Sequence, residues 1–274
     1  MNKIDFALVI SAQFCNPNGD PLNGNRPRQD IDGYGYITDV CLKHKIRNRL
    51  SDFGEHVLIL DNDHVTDGNY SIRERVDAEE TLKEHLRKKD IDAFKKEACC
   101  LWIDVRSFGQ VFPFKDISTN SVSLGVRGPV TIQMAKSLNC IDIVDYEITK
   151  STNTEKMKDR DKDSTTMGMK YVIQKGAYVA YGSIFPQLAE MTGFSYDDAL
   201  LLKKALSTIF ENDASSARPS GSMGSQLFWW EHNSICGAKN SLYVHKSLHI
   251  SPKEDFPFYS CEPEKISGIT LFVL

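Results

Sequence analysis

Residues 16–49 read NPNGDPLNGNRPRQDIDGYGYITDVCLKHKIRNR. The stretch begins where an apolar run ends and finishes inside a helix. Gly19, Gly24, Gly33 and Gly35 permit backbone conformations closed to other residues, and Pro17, Pro21 and Pro27 fix φ, so the loop has a defined shape. Thr38 has the character of a helix N-cap, with Asp39 in the first turn, where the helix dipole favours negative charge. Leu42, Ile46, Leu50 and Phe53 follow at helical spacing and fall within about 80° of one another. Lys45 and Arg49 flank that stripe on one side, Lys43 and Arg47 on the other. A strand, a glycine-rich loop with Arg26 and Arg28, and a basic helix thus form a surface suited to a polyanion. A basic helix alone is ordinarily a solvated face; the basic loop directly before it turns the reading toward phosphate.

The flanking chain sets the fold class. Ile4 to Phe14 reads as a buried first strand. Ser51 to Lys96 is densely charged with helical periodicity, a peripheral helical insertion rather than core. Leu101 to Val105 (LWIDV) reads as a short strand, followed by a second Gly- and Arg-containing loop, RSFGQVFPFK. Ser121 to Met134 reads as a strand broken at Arg127-Gly128-Pro129. Strands at Ile141 to Ile148 and Tyr171 to Ile184 flank Thr149 to Lys170, a polar segment open to two readings, disordered loop or projecting hairpin. Ser195 and Asp198 form a capping-box-like pair at the head of a helix carrying Leu202, Leu206, Ile209 and Phe210. Strands follow at Gln226 to Glu231, Leu242 to Ile250 and Ile266 to Leu274. Helices set among antiparallel-type strands give an α+β class of ferredoxin-like type with insertions.

Composition narrows the function. The chain has 274 residues and a net charge of −4, so any polyanion site is a local patch rather than bulk charge. The apolar start is interrupted by Asp5 and reads as a strand, not a signal peptide, and no run approaches the roughly 18 residues of a membrane span. Seven cysteines, with Cys99-Cys100 their closest spacing, read as reduced thiols of a cytoplasmic protein without structural zinc. His245 and His249 lie four apart on an expected strand, too distant for easy shared ligation, and read as ordinary strand histidines. Asp20, Asp30, Asp32 and Asp39 surround the glycine loop. Such carboxylates either bind Mg²⁺ and do acid–base work or shape Asx-turns, and the Gly- and Asn-rich setting favours turns. Asp104 and Arg106 read as a structural ion pair. Binding chemistry remains: Arg26, Arg28, Lys43, Lys45, Arg47, Arg49, Arg106 and Arg127, with Tyr34, Tyr36, Phe108, Phe112 and Phe114 nearby to stack a base or cover the core. No metal or other cofactor is expected.

The 16–50 block, then DVRSFGQVF, SLGVRGPVTIQ and the ITKSTN…TMGMK segment, resembles the Cas-seven family of CRISPR-associated proteins, in its type I-C form, over roughly Asp5 to Ile250. The resemblance implies a single RNA-recognition-motif-like "palm" over residues 1–274. It assigns a helical "fingers" insertion to about 51–96 and a protruding β-hairpin "thumb" to about 149–170. It implies a non-catalytic backbone subunit of the Cascade surveillance complex. Copies of that subunit stack along the CRISPR guide RNA (crRNA), beside a guide-processing subunit and a large subunit, and support recognition of target DNA. It matches Asn23 to Arg28, with Lys45 and Arg49, to the family's phosphate-gripping region, and Met167 and Met169 to the thumb residues that wedge the guide. Lys43, Arg106 and Arg127 are further expected RNA contacts. Related type III subunits cut target RNA with a first-loop aspartate, so a metal-dependent endoribonuclease using Asp20, Asp30 or Asp32 is the alternative.

Overall fold

The structure is a computed structural model that describes residues 1–112, 124–149 and 167–274. The chain opens with β1 (Ile4–Cys15), the short strands β2 (Gly19–Asp20) and β3 (Arg26–Pro27), β4 (Tyr34–Ile37) and α1 (Asp39–Asp52). A helical stretch follows: α2 (Ile72–Ala78), α3 (Glu80–Lys88), α4 (Ile91–Leu101) and α5 (Ile103–Phe108). Then come β5 (Gly109–Phe112), β6 (Leu124–Arg127), β7 (Val130–Ile132), β8 (Ala135–Cys140), β9 (Ile143–Thr149) and the long β10 (Met167–Ile184). The remainder is α6 (Pro186–Thr192), α7 (Tyr196–Ser207), β11 (Met223–His232), α8 (Ser241–Lys246), β12 (Leu248–Pro252), β13 (Tyr259–Pro263) and β14 (Ile269–Val273). Among these elements no helix is long and apolar enough to cross a membrane. All seven cysteines are free.

The fold is mixed α/β on one large antiparallel sheet in the order β14-β11-β1-β10-β8-β4, with β7 and β9 also pairing β10. Strand β1 lies inside it and is covered on both faces. Its even residues Ile4, Phe6, Leu8 and Ile10 pack with Leu42, Ile46 and Leu50 of α1 and with Ala199, Leu202 and Leu206 of α7. Its odd residues Ala7 and Val9 pack with Phe228 and Trp230 of β11, Val244 of α8 and Leu248 of β12. Burial on both sides explains why β1 is nearly continuously apolar instead of alternating. The exception is Asp5, fully buried, which accepts from Ser183 and contacts His232 Nε2 at 2.8 Å and Lys3 Nζ at 3.2 Å.

Several expectations hold. Thr38 caps α1, its hydroxyl accepting from Cys41 N at 3.1 Å, and the stripe of Leu42, Ile46 and Leu50 is buried. Ser195 and Asp198 form a complete capping box on α7. The strand expected to break at Gly128-Pro129 does so, as β6 and β7; residues 121–123 lie outside the described residues.

Others are corrected. Residues 101–105 are not a strand: Leu101 ends α4, Trp102 is the extended residue between the two helices, and Ile103 begins α5. Trp102 and Val105 face one core while Ile103 faces the other, so a helix junction between two cores is apolar on more than one side, and a short apolar run cannot tell it from a strand. Leu242 to Val244 lie in α8, capped by Asn240 Oδ1 on Tyr243 N at 2.8 Å, and only from Leu248 is the segment extended. The helical stretch after residue 51 has a core of its own: Leu58, Val76, Leu82, Phe94, Ala98 and Trp102 are buried together with Phe112 and Leu124 of the β5–β6 pair. Its apolar residues are few because the unit is small. Strand β8 has no apolar alternation to mark it in the sequence, because its inward residues are Ala135 and Ser137 rather than large apolar ones.

Candidate nucleic-acid interface

The loop after β1 is folded back on itself by local chemistry. Asp20 Oδ1 accepts from Leu22 N, and Gly24 and Asn25 both take left-handed conformations, with φ of 58° and 61°. Gly19 sits so close to Asn25 that a Cβ there would fall 2.0 Å from Asn25 Oδ1, so any other residue would displace the Asn25 side chain. Asn18 Oδ1 accepts from both Thr38 N and Thr38 Oγ1, at 3.0 and 3.1 Å, tying the loop to the head of α1. Asp30 Oδ1 accepts from Asp32 N and Tyr34 N and pairs with Lys136 at 2.9 Å. Asp20 and Asp30 therefore shape turns. Among the described residues no three His, Cys, Asp or Glu side chains converge as metal ligands would.

This folding leaves a polar cleft of about 380 Å³, lined by Asn23, Arg26, Arg28, Gln29, Tyr36 and Asp142 among others. Arg26 lies over the ring of Tyr171 at 4.5 Å and contacts Asp145 Oδ2 at 3.0 Å. Tyr171 and Asp145 face each other across the β9–β10 ladder, so Arg26 rests on that ladder. Both partners of the Arg26–Asp145 pair are about a third or more exposed, the open setting in which an ion pair is weak. Arg28 Nη2 is 3.4 Å from Asp20, and its Nε is buried without a partner, so Asp20 leaves the guanidinium unsaturated. Arg forks with donors to spare match phosphate geometry.

The basic residues of α1 are placed differently. The expectation that Lys45 flanks the stripe in the open is corrected: its side chain is 3% exposed and its ammonium is bound to Asp213, which Arg218 also holds at 2.8 Å. Burial lowers the Lys45 pKa, with Asp213 opposing. Arg47 is buried against Asp104 at 2.9 Å and stacks on Phe108. Arg49 donates to Thr208 at 2.9 Å, pairs with Asp52 at 3.1 Å and lies over Phe53. Lys43 makes a half-open pair with Asp39 at 3.0 Å. Both flanks of the helix are thus largely engaged with protein: α7 and the loop before β11 on one side, α5 on the other.

Arg106 and Asp104 do serve structure, but not with each other. Arg106 forks onto Asp198 at 2.7 and 3.1 Å, so the residue completing the capping box of α7 also anchors α5. Burial works to raise the Asp198 pKa, and Arg106 with the Ser195 hydrogen bonds lowers it overall. Arg127 is exposed at the end of β6, remote in sequence from the loop and opposite Gly109. Met169 is half-exposed on β10 opposite Glu147, and Met167 pairs through its backbone with Thr149. The rest of the expected hairpin, 150–166, lies outside the described residues, as does Phe114. His245 Nε2 donates to Gly182 O and His249 Nε2 to Glu264 Oε1, so the two histidines serve different partners.

The structure adds residues that the sequence did not flag. Asp145 and Tyr171 are more than a hundred positions from Arg26 and carry no local signal. Asp213 and Arg218 had one: RPSGSMGSQ sets an arginine among glycines and serines, as the first loop does. Residues 207, 208, 210–214 and 218–225 there line a second open cavity of about 430 Å³ beside Lys45's partner.

A family model described as CRISPR-associated protein Cas7 matches residues 2–268, and the chain belongs to that family. A CRISPR-associated protein Cas7 of Haloferax volcanii is 31% identical over 156 residues, 52% of this chain and 45% of that protein; the chain spans less than half the length of this relative. Two solved structures titled "CRISPR RNA-guided surveillance complex", one of them pre-nicking, superpose with TM-scores of 0.46 and 0.49. Their identities are 14% and 12%; each covers 84% of this chain, and 69% and 78% of the matched chain.

Proposed function

We propose that the chain is a guide-RNA-binding backbone subunit of a CRISPR surveillance complex of the Cascade type, in its I-C form, and that it is not itself a nuclease. The observation that carries this reading is the Arg26–Arg28 cleft, beside the β9–β10 ladder, in a chain of the Cas7 family. In it the large sheet with α1 and α7 is the RNA-recognition-motif-like palm; the order β11-β1-β10-β8, with those helices on one face, supports this. The helical unit after residue 51 is the fingers, and the β9–β10 hairpin the thumb, with Met169 on the strand face that also carries Tyr171 and Met167 two residues before it on β10. Phosphates of the guide sit on Arg26 and Arg28 with Asn23 beside them, and Arg127 reaches a further one. Lys43 lies at the margin, and Lys45, Arg49 and Arg106 hold the platform beneath. Contacts to phosphate and sugar grip any guide sequence, as a backbone subunit requires. Head-to-tail copies of one such surface extend along an RNA as a filament. Partners in this reading are the guide, further copies, the other Cascade subunits and target DNA, and the setting is cytoplasmic.

The test is to mix the protein with single-stranded RNAs of increasing length and measure the mass of each complex, then add complementary RNA and Mg²⁺. Stepwise growth in mass with RNA length, without cleavage, is expected. A single bound copy at every length contradicts the filament. Regularly spaced cleavage that Asp20→Ala, Asp30→Ala or Asp32→Ala abolishes contradicts the scaffold in favour of the ribonuclease.

A further inference from the structure

We propose that Tyr171 and Asp145 are positioning residues for phosphate binding at Arg26: the Tyr171 ring holds the plane of the guanidinium, and Asp145 keeps the phosphate's place until the guide displaces it. The inference rests on the RNA-binding reading above and deepens it.

The three side chains meet directly. Arg26 lies over the Tyr171 ring at 4.5 Å, and its Nη1 donates to Asp145 Oδ2 at 3.0 Å. The first loop also closes on the ring at Gly24, where a Cβ would lie 3.8 Å from Tyr171 Cε2. The turn between Gly24 and Arg26 is held from behind, Asn25 N donating to Asp20 O at 2.8 Å and Asn16 Nδ2 to Asn25 O at 2.7 Å. On the other side, Tyr171 precedes Val172 and Ile173, both buried, which anchor the strand that carries it. A ring on an anchored strand fixes the plane of a guanidinium stacked on it and leaves the donors at its edge free.

Asp145 differs from the other acids that meet basic residues near the loop and α1. Asp20 accepts from Leu22 N, Asp30 from Asp32 N and Tyr34 N, and Asp104 from Leu58 N and Ile59 N, so each of those holds backbone. The Asp145 carboxylate meets Arg26 and no backbone amide among the described residues. The side chains of the pair are 33% and 42% exposed, open enough for the pair to exchange. Asp145 takes one of the five guanidinium donors, whereas a phosphate matches the fork with two oxygens. A phosphodiester carries the same single negative charge as the carboxylate, so the exchange is charge for charge. The Nη1–Oδ2 hydrogen bond breaks, hydrogen bonds to phosphate oxygens form, Asp145 turns to water, and no proton moves.

The experiment is a set of double-variant cycles, read as dissociation constants for one single-stranded RNA at a fixed salt concentration. Tyr171→Leu should weaken binding roughly two- to fivefold, the scale of a cation over an exposed ring, while Tyr171→Phe, which keeps the ring, should bind like wild type. Asp145→Asn should tighten binding by roughly two- to fivefold, the scale of an exposed pair. In the Arg26→Ala background neither change should alter binding. A loss from Tyr171→Leu that is equally large in that background means that the ring serves the fold alone, and overturns its role. A gain from Asp145→Asn that persists there is general repulsion of the strand, and overturns the place-holder. Asp145→Asn is an exposed change and decides the matter where Tyr171→Leu does not fold: no gain with Arg26 present overturns the exchange. If wild type and Arg26→Ala bind the RNA equally, the inference fails and the RNA-binding reading stands; if wild type binds none, that reading itself fails.

Discussion

The first loop and helix α1 carry the same kind of charge and spend it in opposite ways. Arg26 and Arg28 line an open cleft, one in an exposed ion pair and the other with a buried, unpartnered Nε. Lys45 and Arg47, on the helix that follows, are buried and locked to Asp213 and Asp104. Charge in a sequence is therefore not charge on offer. A helix that must seat its apolar stripe between a sheet and a second helix brings its flanking cations down with it, and buried cations require acids.

The contrast predicts a graded series. The largest effect belongs to the buried Arg47–Asp104 pair. Asp104 is 1% exposed and accepts from Arg47 Nε, Leu58 N and Ile59 N, so Asp104→Ala strands a cation and two amides at once. It should cost about 3–5 kcal/mol in urea unfolding. A loss under about 1 kcal/mol would mean that the pair is solvated and the contrast false.

Next is Asp5. Burial alone would raise its pKa, but hydrogen bonds from His232, Ser183 and Ser241 and the charge of Lys3 hold it at about 2, against an ordinary 3.8. Its folded pKa is depressed, so its contribution is full above the ordinary value and is lost as pH falls from about 4 to 2. At roughly 1.4 kcal/mol per pKa unit this is about 2 kcal/mol. Asp5→Asn should be less stable than wild type by that amount at neutral pH, and the gap should close near pH 2. His245, its pKa lowered by burial with Asp5 opposing, also loses stability toward acid, but the loss starts from its ordinary value of 6.5, well above the Asp5 window. A gap that stays constant down to pH 2 would contradict the Asp5 assignment.

The smallest effect belongs to Lys43, whose pair with Asp39 is one turn apart and half-open. Lys43→Ala should change stability by no more than about 0.5 kcal/mol, and less at high salt. A change as large as that of Asp104→Ala would erase the distinction between open and buried pairs.

What was legible in the sequence follows the same division. Local signals were read correctly: the Thr38 cap, the Ser195–Asp198 capping box, the stripe of α1 and the break at Gly128-Pro129 each depend on neighbours within a few residues. Burial of a charge depends on residues far away. Nothing near Lys45 announces Asp213, and nothing near Arg106 announces Asp198. Residues 101–105 and 242–244 differ from the strands expected there because an apolar run has no direction until its neighbours are known: Trp102 and Ile103 point to different cores, while Leu242, in the first turn of α8, is exposed. In the site the arginines of the loop could be named from sequence, but Asp145 and Tyr171 could not, because the β9–β10 ladder alone brings them to Arg26.

The central claim, that the guide is gripped by the open arginines rather than by the helix cations, is tested most directly by the salt dependence of RNA binding. On a single strand each phosphate contact contributes about 0.7 to the slope of log K against log salt. Arg26→Ala with Arg28→Ala should reduce that slope by about 1.4 with the fold retained, whereas Lys45→Met, whose loss leaves Asp213 still paired with Arg218, should leave it unchanged. An unchanged slope in the double variant, with a reduced slope in Lys45→Met, would contradict the account.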